Sequence, residues 1–122
     1  MEEYCLDTYA LWEIILGNPK FAFLLNSQYV VTNWTLIELY KTLLREFDKT
    51  KAKTWCGSFK PFVQNVGLDT AIRAVDYNIE NKKDNLSIFD CIGYVFALEN
   101  KLKFVTGDKK FRKRENVLFI GK

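Results

Sequence analysis

The sequence predicts an α/β fold: a central, parallel, twisted sheet of roughly four to five short strands flanked by helices, forming a single domain over residues 1–122. Three observations lead there. Short β-rich runs alternate with longer segments of helical apolar periodicity. Apolar residues at 48% and aromatics at 16% are enough for a packed core. A chain of 122 residues holds one such core and is too short for two. Strand–helix–strand alternation in one sheet implies right-handed crossovers.

Taken in order, Tyr4, Cys5 and Leu6 make a first short strand, and Asp7 and Thr8 lead into an apolar helix over residues 9–16 that Gly17, Asn18 and Pro19 end. Residues 20–25 read as a short helix, and Tyr29, Val30 and Val31 as a second β-rich run that delivers Thr32 and Asn33. Over residues 34–48, Leu36, Ile37, Leu39, Tyr40, Leu43, Leu44 and Phe47 share one helical stripe opposite Lys41, Thr42 and Arg45, so the spacing predicts a long amphipathic helix. Residues 49–86 carry weaker signals: a helix ending near Gly57, a strand-like 62–66 behind Pro61, a helix over about 69–81 and a polar loop at 80–85. A helix at 88–100, a strand at 103–105, the turn Thr106-Gly107-Asp108, a basic segment and a strand at 117–120 complete the chain. No repeat, low-complexity tract or linker interrupts it.

Composition excludes several classes. The longest apolar runs, 21–25 and 94–98, fall far short of the roughly 18 to 20 residues of a membrane span. Met1 is followed by Glu2 and Glu3, where a secretory leader would carry Lys or Arg, so a cytoplasmic location is expected. Cys5, Cys56 and Cys91 are 51 and 35 residues apart, which offers neither a disulfide framework nor a Cys-x-x-Cys pair, and they are expected as small buried apolar residues. The absence of histidine removes Ser-His-Asp and Cys-His nucleophiles and imidazole zinc sites. Any hydrolytic chemistry must run on carboxylates, and carboxylates alone favour hard cations such as magnesium or manganese.

Charge is unevenly spread. Residues 1–100 carry 10 basic and 13 acidic groups, residues 101–122 carry 8 basic and 2 acidic, so the basic end is either a polyanion surface or a solvated terminus. In parallel α/β sheets, ligands collect at the carboxyl ends of the strands. Asp7 and Asp108 each follow a strand, Asp90 opens the helix that runs back into the later strand, and Glu38 lies about a turn into the helix leaving the second strand. Topology therefore brings Asp7, Glu38, Asp90 and Asp108 to one edge. Each also has a purely structural reading. Ser87–Asp90 and Thr35–Glu38 match the capping-box spacing, Glu38 can pair with Lys41 or Thr42, Asp7 can cap a helix, and Gly107-Asp108 can form a turn.

The segments LDTYAL (6–11), VTNWTLIELY (31–40), LSIFDCIGYVFALEN (86–100) and FVTGDKKF (104–111) resemble, in order and separation, the four signature segments of the PIN domain family. The chain is most similar to its small stand-alone prokaryotic members, including the toxin half of VapBC toxin–antitoxin pairs; residues 49–85 add no motif. The resemblance implies a metal-dependent endoribonuclease in which Asp7, Glu38, Asp90 and Asp108 surround one or two Mg²⁺ or Mn²⁺ ions, Asp7 and Asp90 as direct ligands, Glu38 and Asp108 acting through water. It implies RNA as substrate, a small antitoxin as partner and a homodimer. Thr8, Thr32 and Thr106 offer hydroxyls near this pocket, Thr106 either orienting a carboxylate or shaping the turn; Asn33 either bonds Asp7 or caps the long helix. Setting the four acids aside leaves 18 basic and 11 acidic groups, a balance suited to RNA, with Lys109, Lys110, Arg112, Lys113 and Arg114 placed to hold flanking phosphates and Phe111 as a core anchor. Phe89 departs from the family pattern, being bulkier than the residue expected before the third acid, and would narrow the pocket or pack beneath it. An inactive PIN-like RNA-binding or scaffold domain is the alternative. A magnesium phosphotransferase with Asp7 as nucleophile is disfavoured because Thr8, Tyr9 and Ala10 supply no neighbouring acid.

Overall fold

Five strands pair side by side, all parallel, in the order β3-β2-β1-β4-β5 in a computed structural model that describes residues 2–121. Met1 and Lys122, the ends of the expected 1–122 domain, lie outside the described residues. Strand β1 (Glu3–Leu6) is central, between β2 (Gln28–Thr32) and β4 (Lys103–Thr106). The edges are β3 (Val63–Gln64) and β5 (Val117–Phe119). Cys5 stands opposite Val30 on one side and Phe104 on the other. The chain first builds outward from β1 to β3 and then crosses to β4 and β5, so its direction of growth reverses between β1 and β4. That reversal opens a crevice at the carboxyl ends of these two strands, and it fixes the site.

Alternation along the strands divides the core in two. Cys5 and Phe104 face a layer with Cys91, Tyr94 and Phe111, covered by α4 (Leu68–Glu80) and α5 (Ile88–Glu99). Their neighbours Leu6 and Val105 face a second layer with Leu11, Phe21, Leu39 and Leu43, built on α1 (Thr8–Ile15), α2 (Asn33–Glu46) and α3 (Lys49–Phe59). Tyr94, Phe104 and Phe111 form an aromatic triangle with centroids 5.3–5.6 Å apart, so Phe111 is the core anchor expected. All three cysteines are free and buried. No helix among the described residues is long and apolar enough to cross a membrane.

Several local expectations need correction. The segment Pro19–Asn26 winds as a 3-10 helix, with Pro19 at its first position, and α3 passes through Gly57 to end at Phe59. The strand expected at 62–66 shrinks to Val63–Gln64, since Pro61 lies in a 3-10 turn just before it. The capping box assigned to Thr35 and Glu38 does not form: the cap of α2 lies earlier, at Thr32, whose hydroxyl accepts from Thr35 N–H at 3.0 Å. Of the stripe on this helix, Leu39 and Leu43 are fully buried, whereas Ile37, Leu44 and Phe47 are exposed.

Candidate active site

Asp7 is the first residue after β1, and its position as N-cap of α1 follows from its short carboxylate: Ala10 N–H donates to its Oδ1 at 2.8 Å. The Thr106 hydroxyl at the end of β4 lies beside the same carboxylate and favours its charged form. Thr106 also accepts from Asp108 N–H at 3.0 Å, so it both orients a carboxylate and shapes the turn. Asp108 caps the short turn after β4, accepting from Lys110 N–H at 3.0 Å. Asp90 lies in the first turn of α5, which Ser87 caps by accepting from Phe89 N–H at 3.2 Å. Glu38, in the second turn of α2, accepts from the Thr8 hydroxyl, and its pairing with Lys41 does not occur; Thr42 donates instead to its backbone carbonyl at 3.2 Å.

These four carboxylates line one open cavity of about 660 Å³. The rest of the wall includes Tyr9 and Trp12 from α1, Thr42, Arg45 and Glu46 from α2, and Gly107 of the turn after β4; Trp12, Arg45 and Glu46 belong to no segment read as a motif. Gly107 is required sterically, since a Cβ there would sit 2.0 Å from the Tyr9 ring. Tyr9 and Trp12 are three apart and so share the helix face that Asp7 opens.

Electrostatically the cavity is an excess of negative charge. Burial, and secondarily the charges of Asp108 and Glu38, push Asp7 up to about 7 despite the opposing influence of Thr106 and Ala10. Burial, then Asp7, Glu38 and Asp108, push Asp90 up to about 8, with Lys110 acting weakly against them. Among the described residues no three Cys, Asp or Glu side chains are already gathered around one point as a metal cage. The donor set nevertheless fits a hard divalent cation: it is all oxygen, it contains no imidazole, and the charges of Glu38 and Asp108 raise both Asp7 and Asp90.

The supporting residues divide. Thr8 and Thr106 touch the carboxylates; Thr32 is fully buried under α2 and does not line the cavity. Asn33 neither bonds Asp7 nor caps α2: its Oδ1 accepts from Val66 N–H at 2.9 Å, tying α2 to the approach to α4. The basic residues divide as well. Lys109 and Lys110 reach the acidic cavity and, with Arg112 and Lys113, also line an adjoining one of about 460 Å³. Arg114 is already engaged, donating to Tyr77 Oη at 2.6 Å, Asn81 Oδ1 at 3.1 Å, Asp84 Oδ2 at 2.5 Å and the Lys110 carbonyl at 3.1 Å. It brackets the basic turn to α4 while also lining the adjoining cavity. Phe89 turns away from the acids to Trp34, with ring centroids 6.4 Å apart, and neither narrows nor underlies the cavity wall.

Comparison with known proteins agrees with this architecture. No curated relative matches the sequence at a significant level. Among solved structures, Mycobacterium tuberculosis VapC20, described as a Sarcin-Ricin loop cleaving toxin, is similar with TM-score 0.80 and 15% identity, covering 98% of this chain and 99% of that one. The DNA-bound VapBC of Salmonella typhimurium gives TM-score 0.75 and 18% identity, covering 99% and 98%. A toxin–antitoxin complex from Klebsiella pneumoniae gives 0.73 and 21%, covering 94% and 95%. At these identities the likeness is one of fold. The model of the PIN domain family matches residues 4–117, from the central strand to the start of the last. With its sheet order, its strand-end carboxylates and this match in agreement, the chain belongs to the PIN domain family.

Proposed function

We propose that the protein is a metal-dependent endoribonuclease that hydrolyses RNA phosphodiester bonds and acts as a toxin of the VapC type. The observation that carries this reading is the cavity in which Asp7, Glu38, Asp90 and Asp108 meet, with the Asp7 and Asp90 carboxyls raised by burial and by neighbouring carboxylates. Carboxylates alone repel a phosphodiester. One or two Mg²⁺ or Mn²⁺ ions, when bound, supply neutralisation of the phosphate and acidification of a water. Asp7 and Asp90 are the direct metal ligands in this reading. Glu38, steadied by Thr8, and Asp108, steadied by Lys110 N–H, hold and orient water. Lys109, Lys110, Arg112 and Lys113 take flanking phosphates.

The experiment is cleavage of single-stranded and loop-containing RNA by purified protein in Mg²⁺ or Mn²⁺, with EDTA as control and Asp7→Asn and Asp90→Asn as variants. Loss of cleavage in chelator and in both variants is expected. Undiminished cleavage in EDTA overturns the mechanism, and tight RNA binding without cleavage under any metal favours the inactive RNA-binding alternative.

A small antitoxin is the partner this reading requires, in keeping with the VapBC complexes among the similar structures. A homodimer is supported by α4, whose Leu68, Ile72, Val75 and Ile79 are 47–75% exposed along one stripe. Sedimentation of wild type against Ile72→Glu tests it: a monomeric wild type refutes the dimer.

A further inference from the structure

The acidic cavity has two unlike rims. On the β4 side stand Lys109 and Lys110, and on the side of α1 and α2 stand Trp12 and Arg45. Trp12 packs against the core layer at its base and reaches the cavity with its remaining surface. Phe47, at the end of α2, supports it with ring centroids 5.9 Å apart and planes 33° apart, and Lys51 Nζ lies 5.7 Å from the centroid of that Phe47 ring. The indole is therefore held in place before any ligand arrives, which lowers the ordering cost of binding on it. Arg45 is largely exposed, and its ion pair is with the adjacent Glu46 at 3.5 Å, also largely exposed, a pairing too weak to occupy the guanidinium.

We infer that Trp12 is a stacking platform for one unpaired nucleobase next to the scissile phosphate, with Arg45 binding the phosphate of that nucleotide. This rests on the ribonuclease reading for its substrate, and it adds what selects the substrate. A strand lying across the carboxylates meets cations on both rims but the partly exposed Trp12 indole on one only, so its two sides are read differently. An indole stacks on any base, but only on a base whose face is free, and a base inside a duplex has both faces covered. The site accordingly selects single-stranded or looped RNA by an unpaired base on the Trp12 side. Arg45, with its planar fork, suits the phosphate there.

The test is binding, separate from cleavage. A fluorescein-labelled single-stranded RNA dodecamer, its duplex form and a series with one abasic site moved along it are titrated by anisotropy in Ca²⁺ with wild type, Trp12→Phe, Trp12→Leu and Arg45→Ala. Wild type is expected to prefer the single strand and to lose about five- to a hundredfold in affinity at one abasic position. Trp12→Leu should lose a similar factor on the intact strand and show no penalty at that position, while Trp12→Phe keeps most of both. Arg45→Ala should lower the salt slope by about 0.7. Equal abasic penalties in wild type and Trp12→Leu, with both folded by circular dichroism, overturn the platform, as does a wild type that binds duplex as well as single strand. If Trp12→Leu fails to fold, Trp12→Phe decides: single-strand binding with the abasic penalty largely retained at the same position supports stacking, whereas loss of that penalty or of single-strand binding overturns it, since a phenyl ring still stacks. A wild type that binds as expected but never cleaves overturns the ribonuclease reading and leaves the platform standing.

Discussion

Replacing Asp7 by Asn should make the metal-free protein more stable at pH 8 and leave it nearly unchanged at pH 4. Asparagine keeps an oxygen for Ala10 N–H and an amide that can donate to Thr106, so the cap survives while the charge is removed. Burial chiefly, and the neighbouring carboxylates next, move the Asp7 carboxyl from 3.8 to about 7 in the folded protein. Between those values the folded state retains a proton that the unfolded chain releases, so wild-type stability falls as pH rises through this window and stays low above it. At about 1.36 kcal/mol per decade the loss is on the order of 4 kcal/mol, a large part of the roughly 5–15 kcal/mol that a domain of this kind has. With an m-value of about 2 kcal/mol/M, urea midpoints of variant and wild type in EDTA should coincide near pH 4 and separate by roughly 2 M at pH 8. Excess Mg²⁺ at pH 8 should then stabilise wild type by mass action and do little for Asp7→Asn. Parallel pH profiles in EDTA, or an equal Mg²⁺ shift in both proteins, would refute the shared carboxylate pocket.

Three further outcomes are expected. Gly107→Ala places a Cβ against the Tyr9 ring and should cost about 1–3 kcal/mol by thermal melting; Tyr9→Ala in the same chain should recover most of it, and an additive pair would disprove the clash. Arg114→Ala should lower stability by about 1–3 kcal/mol with little effect on the salt dependence of RNA binding, whereas Lys109→Ala with Lys113→Ala should reduce the salt slope by about 0.7 for each phosphate left without its lysine; the reverse pattern would return Arg114 to the RNA surface. Asn33→Ala removes the acceptor for Val66 N–H and should cost about 1–2 kcal/mol, with the amide of Val66 exchanging faster; unaltered exchange there would show that the bond contributes nothing.

The parallel sheet and the four strand-end acids are legible in the sequence because both follow from order along the chain: an alternation of β-rich and helical segments, and a carboxylate just beyond a strand or near a helix start. What is not legible depends on distance across the fold. Asn33 reads as a cap of the long helix yet bonds Val66, because Thr32 one residue earlier has the hydroxyl and the extended backbone a cap needs. Arg114 looks like its basic neighbours in sequence, and only the approach of Tyr77, Asn81 and Asp84 turns it into a structural residue. Trp12 fits a core helix as well as it fits a rim, since part of its surface does serve the core. The capping-box spacing at Thr35–Glu38 misleads because such a spacing recurs by chance inside any polar helix start, and Thr32 competes for the same helix end. The expectation for Phe89 fails for a helical reason: one residue along a helix is about 100°, enough to send it to Trp34 while Asp90 enters the cavity.

The central position of β1 also governs when the acidic cavity can close during synthesis. Asp7 and Glu38 emerge from the ribosome early, but β1 is flanked on one side by β4, and the Thr106 hydroxyl beside Asp7 and the carboxylate of Asp108 arrive only with that strand. A fragment that stops after α2 has two of the four acids and no closed crevice. A nascent chain is thus unable to assemble the cavity until translation has passed β4, and a premature stop anywhere before that strand leaves the carboxylate set incomplete. For a protein that would attack RNA, including the message being read, the strand order places synthesis and activity in sequence.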